Sequence, residues 1–266
     1  MKNPVLHYKS FGDDNNPAVI ILLHGMLGSM DNWRSQAKRL SSHFRVITPD
    51  LRNHGRSPHV SGMRYQDMAQ DVLTLSDQLG LTAFDLLGHS MGGKIAMEIA
   101  LHHASSIKRL AIVDIAPKPY ALWHLATFKA LLSLPVAELS TRSQADNRLS
   151  QYIEDPFERA FLLKNLKSRS SGGYEWRCNL KEITRAYLNI ANFTEDADTQ
   201  FEGRTLFIKG ETSPYIDAQN DPATITAFFP AASLQIIAKT GHNPHVENAD
   251  AFYNVMSQFL GITDTE

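Results

Sequence analysis

The feature that most constrains this chain is the pentapeptide Gly-His-Ser-Met-Gly at residues 88–92. An apolar, strand-like run precedes it, Phe84 to Leu87, and a helical stretch follows it, Met91 to His102. Between a strand and a helix, glycines two positions either side of a serine permit a strained turn that exposes the serine hydroxyl. Taken alone the pentapeptide is equally typical of an ordinary glycine-rich turn. With these flanks it predicts that Ser90 is a nucleophile.

The composition excludes several classes of protein. The chain has 266 residues, 43% of them hydrophobic and 20% charged, which is typical of a globular protein with one large or two small domains. The net charge is −2 without a block of like charge, so we expect no nucleic-acid partner. The longest apolar stretch, Ala18 to Leu23, is far too short to cross a bilayer, so we expect no stable membrane insertion.

Two further features bear on location. No apolar region follows Lys2, which argues against a secretory signal. The single cysteine, Cys178, forms no internal disulfide and is compatible with a reducing compartment. We therefore expect a cytoplasmic protein, as a monomer or a small homo-oligomer.

Short β-branched runs alternate with amphipathic helical windows, a pattern that predicts βαβ units and a mostly parallel sheet flanked by helices. The predicted strands are Ala18–Leu23, Arg45–Thr48, Phe84–Leu87, Leu110–Val113, Thr205–Ile208 and Ser233–Ala238, with Leu6–Ser10 as a further edge strand. The predicted helices are Asp31–Leu40, Tyr65–Leu79, Met91–His102, Asp217–Phe228 and Ala249–Leu260.

This alternation stops between about Pro117 and Asn192, where the pattern is mainly helical with one strand-like piece near Tyr174–Leu180. Asp-Pro-Phe-Glu at residues 155–158 predicts a helix start, with aspartate at the cap and proline at the first position. We predict a core of residues 1–116 and 196–266 and a mainly helical cap insertion of residues 117–195. Such an insertion would lie over the carboxyl edge of the sheet and shape a pocket there, or it is a structural excursion without ligand contact.

A nucleophilic serine needs a base and donors for the developing oxyanion. His242, in the loop after the last predicted strand, is the candidate base. A metal pair of His242 and His245 is disfavoured because Pro244 breaks the helical register and no third ligand is evident, so we expect no metal. The backbone amides of Met26 and Met91 are the candidate oxyanion donors, in the loop after the first long strand and directly after the serine.

The base also needs an orienting carboxylate, and its identity is less direct. The expected place is the loop after Thr205–Ile208, but Gly-Glu-Thr-Ser-Pro at residues 210–214 carries serine where aspartate is expected. Asp114 ends another strand at the same sheet edge, still between serine and histidine in chain order. Asp114 is the preferred candidate, with Glu211 and Asp217 as alternatives.

Together these motifs resemble those of the α/β-hydrolase family over the whole chain. They are His-Gly-x-x-Gly at 24–28, Asp-Leu-Arg-Asn-His-Gly-Arg-Ser at 50–57, the pentapeptide at 88–92 and Gly-His at 241–242. The chain is most similar to a small bacterial esterase branch related to eukaryotic abhydrolase-domain lipid hydrolases. The marks of that branch are Arg-Asn-His-Gly at 52–55, Asp-Ile-Ala-Pro at 114–117, Trp-Arg-x-Asn-Leu at 176–180 and Ser-Pro-Tyr at 213–215.

The resemblance implies the α/β-hydrolase fold with Asp114 as the acid of the triad. It also implies hydrolysis of short- to medium-chain acyl esters without a cofactor, with acyl-CoA thioesters as a second class of small-molecule substrate. His24, Trp123, Trp176 and Tyr215 are the candidate substrate contacts, although His24 is also expected to order its loop and aromatic residues at helical spacing often seal an insertion onto its core.

Other activities use the same serine machinery. Carbon–carbon bond hydrolases, a vitamin K pathway lyase and perhydrolases all keep the triad, whereas Ser90 argues against dehalogenase and epoxide-hydrolase chemistry, which needs an aspartate nucleophile. A non-catalytic small-molecule receptor on the same fold is a further alternative.

Overall fold

The computed structural model describes residues 4–194 and 199–263. The predicted boundary between residues 195 and 196 lies outside these ranges. Within them, no helix has the length and apolar character needed to cross a membrane.

A seven-stranded sheet forms the centre of the protein. The strands of the described residues are β1 Tyr8–Phe11, β2 Val19–Leu23, β3 Arg45–Pro49, β4 Phe84–His89, β5 Ile107–Val113, β6 Leu166–Ser168, β7 Tyr174–Trp176, β8 Thr205–Gly210 and β9 Ala232–Ile237. The central sheet has the order β1-β3-β2-β4-β5-β8-β9, and β6 pairs with β7 separately. Only β1 runs antiparallel in the central sheet. The prediction of a mostly parallel sheet is confirmed.

Helices cover both faces of the sheet. They are α1 Arg34–Leu40, α2 Tyr65–Gln78, α3 Met91–His102, α4 Leu125–Ser133, α5 Arg142–Leu149, α6 Pro156–Leu163, α7 Leu180–Arg185, α8 Tyr187–Ala191, α9 Pro222–Phe228, α10 Pro244–Glu247 and α11 Ala249–Leu260. Strand β2 shows the two-sided burial, because Ile21 and Leu23 pack in the core with α2 and α3, while Ile20 and Leu22 pack in the core with α1 and α11. Continuous apolar strands are the consequence of this double cover.

Two predicted helices begin later than expected. The window Asp31–Leu40 starts as a 3₁₀ turn, Met30–Trp33, before α1 begins at Arg34. The window from Asp217 begins only at Pro222, because the Asp217 carboxylate accepts the backbone N–H groups of Gln219 and Asn220 and holds a turn there. A short polar side chain that bonds its own backbone competes with helix in this way.

Helices α4 to α8 and the β6–β7 pair lie between β5 and β8 in the chain. The predicted helix start is confirmed, since the Asp155 carboxylate accepts the Phe157 N–H at 2.9 Å and Pro156 is the first residue of α6. Several hydrogen bonds attach this segment to the core, including Asn165 Nδ2 to the Leu27 carbonyl at 2.7 Å and Tyr65 Oη to the Ile190 carbonyl at 2.7 Å. The segment thereby covers loops at the carboxyl ends of the core strands.

Candidate active site

Ser90 lies on a strained turn between β4 and α3, with φ 52° and ψ −118°. Its neighbours must be glycines because the turn has no room for side chains. A Cβ on Gly88 would lie 2.1 Å from the Gly92 carbonyl oxygen, and one on Gly92 would lie 2.6 Å from the carbonyl oxygens of Leu23 and His24. The turn therefore projects the hydroxyl of Ser90 away from the sheet.

Replacing Gly88 with alanine is expected to lower the free energy of unfolding by about 3 kcal/mol, the upper end for overpacking against atoms that cannot move aside. Gly80→Ala is the matched control, because a Cβ there meets nothing within 4 Å and only the positive φ of 69° opposes it. Urea denaturation of both variants measures the difference. Equal stability of the two variants would contradict the steric account of the turn.

His242 stands beside the serine, with Nε2 3.0 Å from Ser90 Oγ. It lies in the loop between β9 and α10. The ring stacks on Tyr215 with the ring centroids 3.9 Å apart. The backbone carbonyl of His242 accepts a hydrogen bond from His89 Nε2 at 2.7 Å, and burial lowers the pKa of His89 well below its usual value. A neutral His89 with its proton on Nε2 thus holds the loop that carries the candidate base.

Asp114 completes the line of hydrogen bonds, with Oδ2 2.8 Å from His242 Nδ1. The residue is fully buried and directly follows β5, with φ 54°. Its Oδ1 accepts the Gly210 N–H at 2.9 Å, and its Oδ2 accepts the Ser213 hydroxyl. These donors satisfy a carboxylate that has no contact with water. The serine found where aspartate was expected therefore supports a carboxylate on the neighbouring strand.

The two alternative acids are occupied elsewhere. Glu211 is exposed, and its Oε2 accepts the backbone N–H of Lys239 at 2.7 Å. The Asp217 carboxylate bonds within its own turn, including to Asn220 Nδ2 at 2.6 Å. Within the described ranges, neither carboxylate forms a hydrogen bond with His242.

Met26 and Met91 both line the cavity beside Ser90. Met91 is the first residue of α3, and the first N–H groups of a helix have no partner within the helix. Met26 lies in a turn closed by the Gly28 N–H to the Gly25 carbonyl at 3.0 Å. These are the positions where the oxyanion donors are predicted.

His24 and Trp176, two of the predicted substrate contacts, do not line the cavity beside Ser90. His24 is buried, with Nδ1 donating to the Gly25 carbonyl at 2.8 Å and Nε2 accepting the Leu51 N–H at 3.0 Å. Burial lowers the pKa of His24 to about 4, so the neutral ring orders two loops. Trp176 pairs with Leu166 between β7 and β6 and packs against the apolar core.

The cavity beside Ser90 has a volume of about 40 Å³. Of the candidate contacts, Trp123 and Tyr215 line it. Tyr120 and Tyr187, aromatic residues of the segment after β5, line it as well. The structure adds Tyr65, Lys94 and His124, which the sequence did not single out for this role. His124 Nε2 and Tyr215 Oη are 2.8 Å apart, so these two side chains from distant parts of the chain form one wall.

Nothing in residues 4–194 and 199–263 groups three histidine, cysteine, aspartate or glutamate side chains as a metal would require. His245, the partner considered for a metal pair, is buried and stacks on Trp33 with centroids 4.3 Å apart. Burial lowers the pKa of His245 to about 3.

Comparisons with known proteins agree with this architecture. A family model described as the alpha/beta hydrolase fold matches residues 18–249. The chain belongs to the α/β-hydrolase family. The sn-1-specific diacylglycerol lipase ABHD11 of Xenopus laevis is 36% identical over 249 residues, covering 91% of this chain and 79% of that protein. Esterase YbfF of Escherichia coli is 32% identical over 249 residues, covering 93% and 95%. A solved structure described as a marine microorganism esterase superimposes with a TM-score of 0.92 at 35% identity, covering 96% of this chain and 99% of that one.

Proposed function

We propose that the protein is a serine-dependent carboxylic ester hydrolase. The observation that carries the proposal is the continuous line of hydrogen bonds from Ser90 through His242 to Asp114, open to a cavity at its serine end. The names of the related esterases and lipases support the same class of reaction. A protein that only binds its ligand has no need of such a line.

In this proposal His242 Nε2 accepts the proton of Ser90 as the serine oxygen attacks the acyl carbon. The amides of Met26 and Met91 donate hydrogen bonds to the oxyanion. His242 then protonates the leaving alcohol, which leaves an acyl group on Ser90. Water repeats the sequence and releases the acid. The Asp114 carboxylate keeps the His242 proton on Nδ1 and stabilises the ring when it becomes charged.

We further propose that residues 117–195 act as the cap of this site, on a core of residues 1–116 and 196–266. Side chains from the segment after β5 supply one side of the cavity, among them Tyr120, Trp123 and Tyr187. Their rings exclude water from the reacting atoms and limit the size of the acyl group.

The cavity beside Ser90 is small and bounded by aromatic rings, which predicts a preference for short acyl groups. Turnover of 4-nitrophenyl esters is expected to peak between acetate and butyrate and to fall by about 10-fold or more at octanoate. The acyl-CoA thioesters of the same acids, measured in parallel, decide whether thioesters are a second substrate class. A peak at decanoate or beyond would contradict a cavity limited by these rings.

A fluorophosphonate probe separates a hydrolase from the receptor alternative. An activated serine reacts with the probe and gains its mass on the peptide that contains Ser90, whereas a serine in an ordinary turn does not. Folded protein that stays unlabelled and hydrolyses none of the esters would overturn the proposal.

A further inference from the structure

Lys94 brings its side-chain amine into the protein beside the cavity. It lies four residues after Ser90, in the first turn of α3, which begins at Met91. Its backbone N–H donates to the Ser90 carbonyl at 3.1 Å. The residue is only 2% exposed and lines the cavity together with Ser90. The ammonium group is therefore directed into the protein and not into solvent.

The ammonium is only partly satisfied by its surroundings. Lys94 Nζ donates to the backbone carbonyls of Ala191 at 2.9 Å and Asn192 at 2.8 Å, and it lies 4.8 Å from the centroid of the Tyr120 ring. An ammonium has three N–H donors, so the residues of the described ranges use two of them. No carboxylate within those ranges forms an ion pair with Lys94.

Keeping a lysine here is costly for the fold. The neighbouring positions of α3 are buried and mostly apolar or glycine, from Met91 to Met97. Burial alone lowers the pKa of Lys94 to about 7, because a charge loses its hydration inside a protein. An unbranched apolar side chain such as methionine would fill the same space without that cost.

A second, polar cavity of about 170 Å³ lies on the other side of this group. Lys94 and Tyr65 line both cavities, and the buried carboxylate of Glu98 lines the second one. No aspartate or glutamate of the described ranges lines the cavity beside Ser90, so a negatively charged group that reaches Lys94 from that side avoids Glu98.

We propose that Lys94 binds a carboxylate of the substrate, so that the preferred substrates are short esters with a free carboxylate a few bonds from the reacting carbonyl. This inference rests on the proposed ester hydrolysis at Ser90. Ser90 and Lys94 line the same small cavity, so the half-ester of a short dicarboxylic acid is the simplest substrate that presents an ester and a carboxylate to it. The third N–H of Lys94 would donate to that carboxylate.

Ethyl hydrogen succinate and ethyl succinamate are a matched pair for the test, since they differ only in carboxylate against carboxamide. The acetate esters of 3-hydroxypropanoate and 3-hydroxypropanamide form a second pair, which places the carboxylate on the alcohol part instead of the acyl part. We expect wild type to have the higher kcat/KM for the acid of at least one pair. That ratio should fall by about 10- to 100-fold in Lys94→Met, as when a hydrogen bond to a charged group is lost.

Lys118→Met is the matched control. Lys118 Nζ also lies near the Tyr120 ring, at 5.6 Å from the centroid, but both oxygens of Asp221 accept its hydrogen bonds at 2.6 Å. Its replacement should leave the acid-to-amide ratio unchanged. Lys94→Arg, which keeps the charge, should retain part of the preference.

An acid-to-amide ratio that does not exceed unity in wild type, or that is unchanged in Lys94→Met, would overturn the inference. If Lys94→Met does not fold, inhibition of the wild-type protein tests whether the site binds a carboxylate. Free succinate should inhibit hydrolysis of ethyl butyrate, and succinamide should not. Failure of ester hydrolysis itself is distinguishable, because no ester would then be turned over in a Ser90-dependent way. In that case thermal stabilisation of the protein by succinate, absent with succinamide, still tests Lys94.

Discussion

Replacing Ser90 with alanine is expected to lower kcat for short acyl esters by about 10⁴- to 10⁶-fold, as removal of the nucleophile does in enzymes of this mechanism. The hydroxyl is the only group of the cavity within hydrogen-bond distance of His242 Nε2 among the described residues. Without it, the base has only water to activate. Initial rates on 4-nitrophenyl butyrate, measured at saturating ester, give the change.

Two controls accompany Ser90→Ala. Ser150→Ala removes an exposed hydroxyl that donates to the carbonyl of Asn147, in the same turn, at 2.9 Å, and it should leave the rate unchanged. The urea midpoint of Ser90→Ala should stay close to that of wild type, because the Ser90 hydroxyl forms no hydrogen bond within the described ranges other than the one to His242. Retention of more than about a hundredth of the wild-type rate in folded protein would show that the acyl-enzyme is not the route.

The nucleophile turn could be predicted from sequence because its chemistry is local. A strand, two small residues around Ser90 and a helix are consecutive in the chain, and the steric reason for the glycines at 88 and 92 lies within the turn or in the strand beside it. The fold prediction is confirmed for the same reason, since alternation of apolar runs and helical windows is read within short stretches.

The acid was harder to predict because its evidence is distant in the chain. Asp114 meets Ser213 and His242, which are 99 and 128 residues away. The hydrophobic periodicity of the segments around these residues does not predict that they are in contact. The serine at position 213 was visible as a departure from expectation, but its hydrogen bond to Asp114 is a property of neighbouring strands β5 and β8.

Substrate contacts were the least predictable part. Trp123 and Trp176 are both aromatic residues of the segment after β5, yet one lines the cavity and the other packs between short strands. Composition does not distinguish the two faces of such a segment. Lys94 carried a usable signal, because it is a lone cation in the otherwise apolar first turns of α3. Its carbonyl partners, 97 and 98 residues away, could not be anticipated.

Replacing Asp114 with asparagine is expected to lower kcat by about 10⁴-fold with a smaller change in KM. Asparagine has one acceptor where the carboxylate has two. If its oxygen accepts the Gly210 N–H, its amide NH₂ faces His242 Nδ1 and can only donate. His242 would then carry its proton on Nε2, towards Ser90, and could no longer accept the serine proton. In the flipped orientation the NH₂ opposes the Gly210 N–H, so neither orientation satisfies both neighbours.

Two carboxylates of the segment after β8 serve as controls that show which residue is the acid of the triad. Glu211→Gln and Asp217→Asn also replace a carboxylate with a carboxamide, but the hydrogen bonds of these two carboxylates do not reach His242. The kcat of both variants should therefore stay within about 3-fold of wild type, which is the scale of ordinary surface substitutions. A near-normal rate in Asp114→Asn together with loss in either of these variants would transfer the role of acid to that residue. Because Asp114 is fully buried, urea denaturation of Asp114→Asn must accompany the rates. If Asp114→Asn is folded and has lost kcat, the loss reports the wrong tautomer of His242. If Asp114→Asn does not fold, Ser213→Ala tests the role of Asp114 instead. That variant removes one hydrogen-bond donor to the Asp114 carboxylate and should lower kcat less.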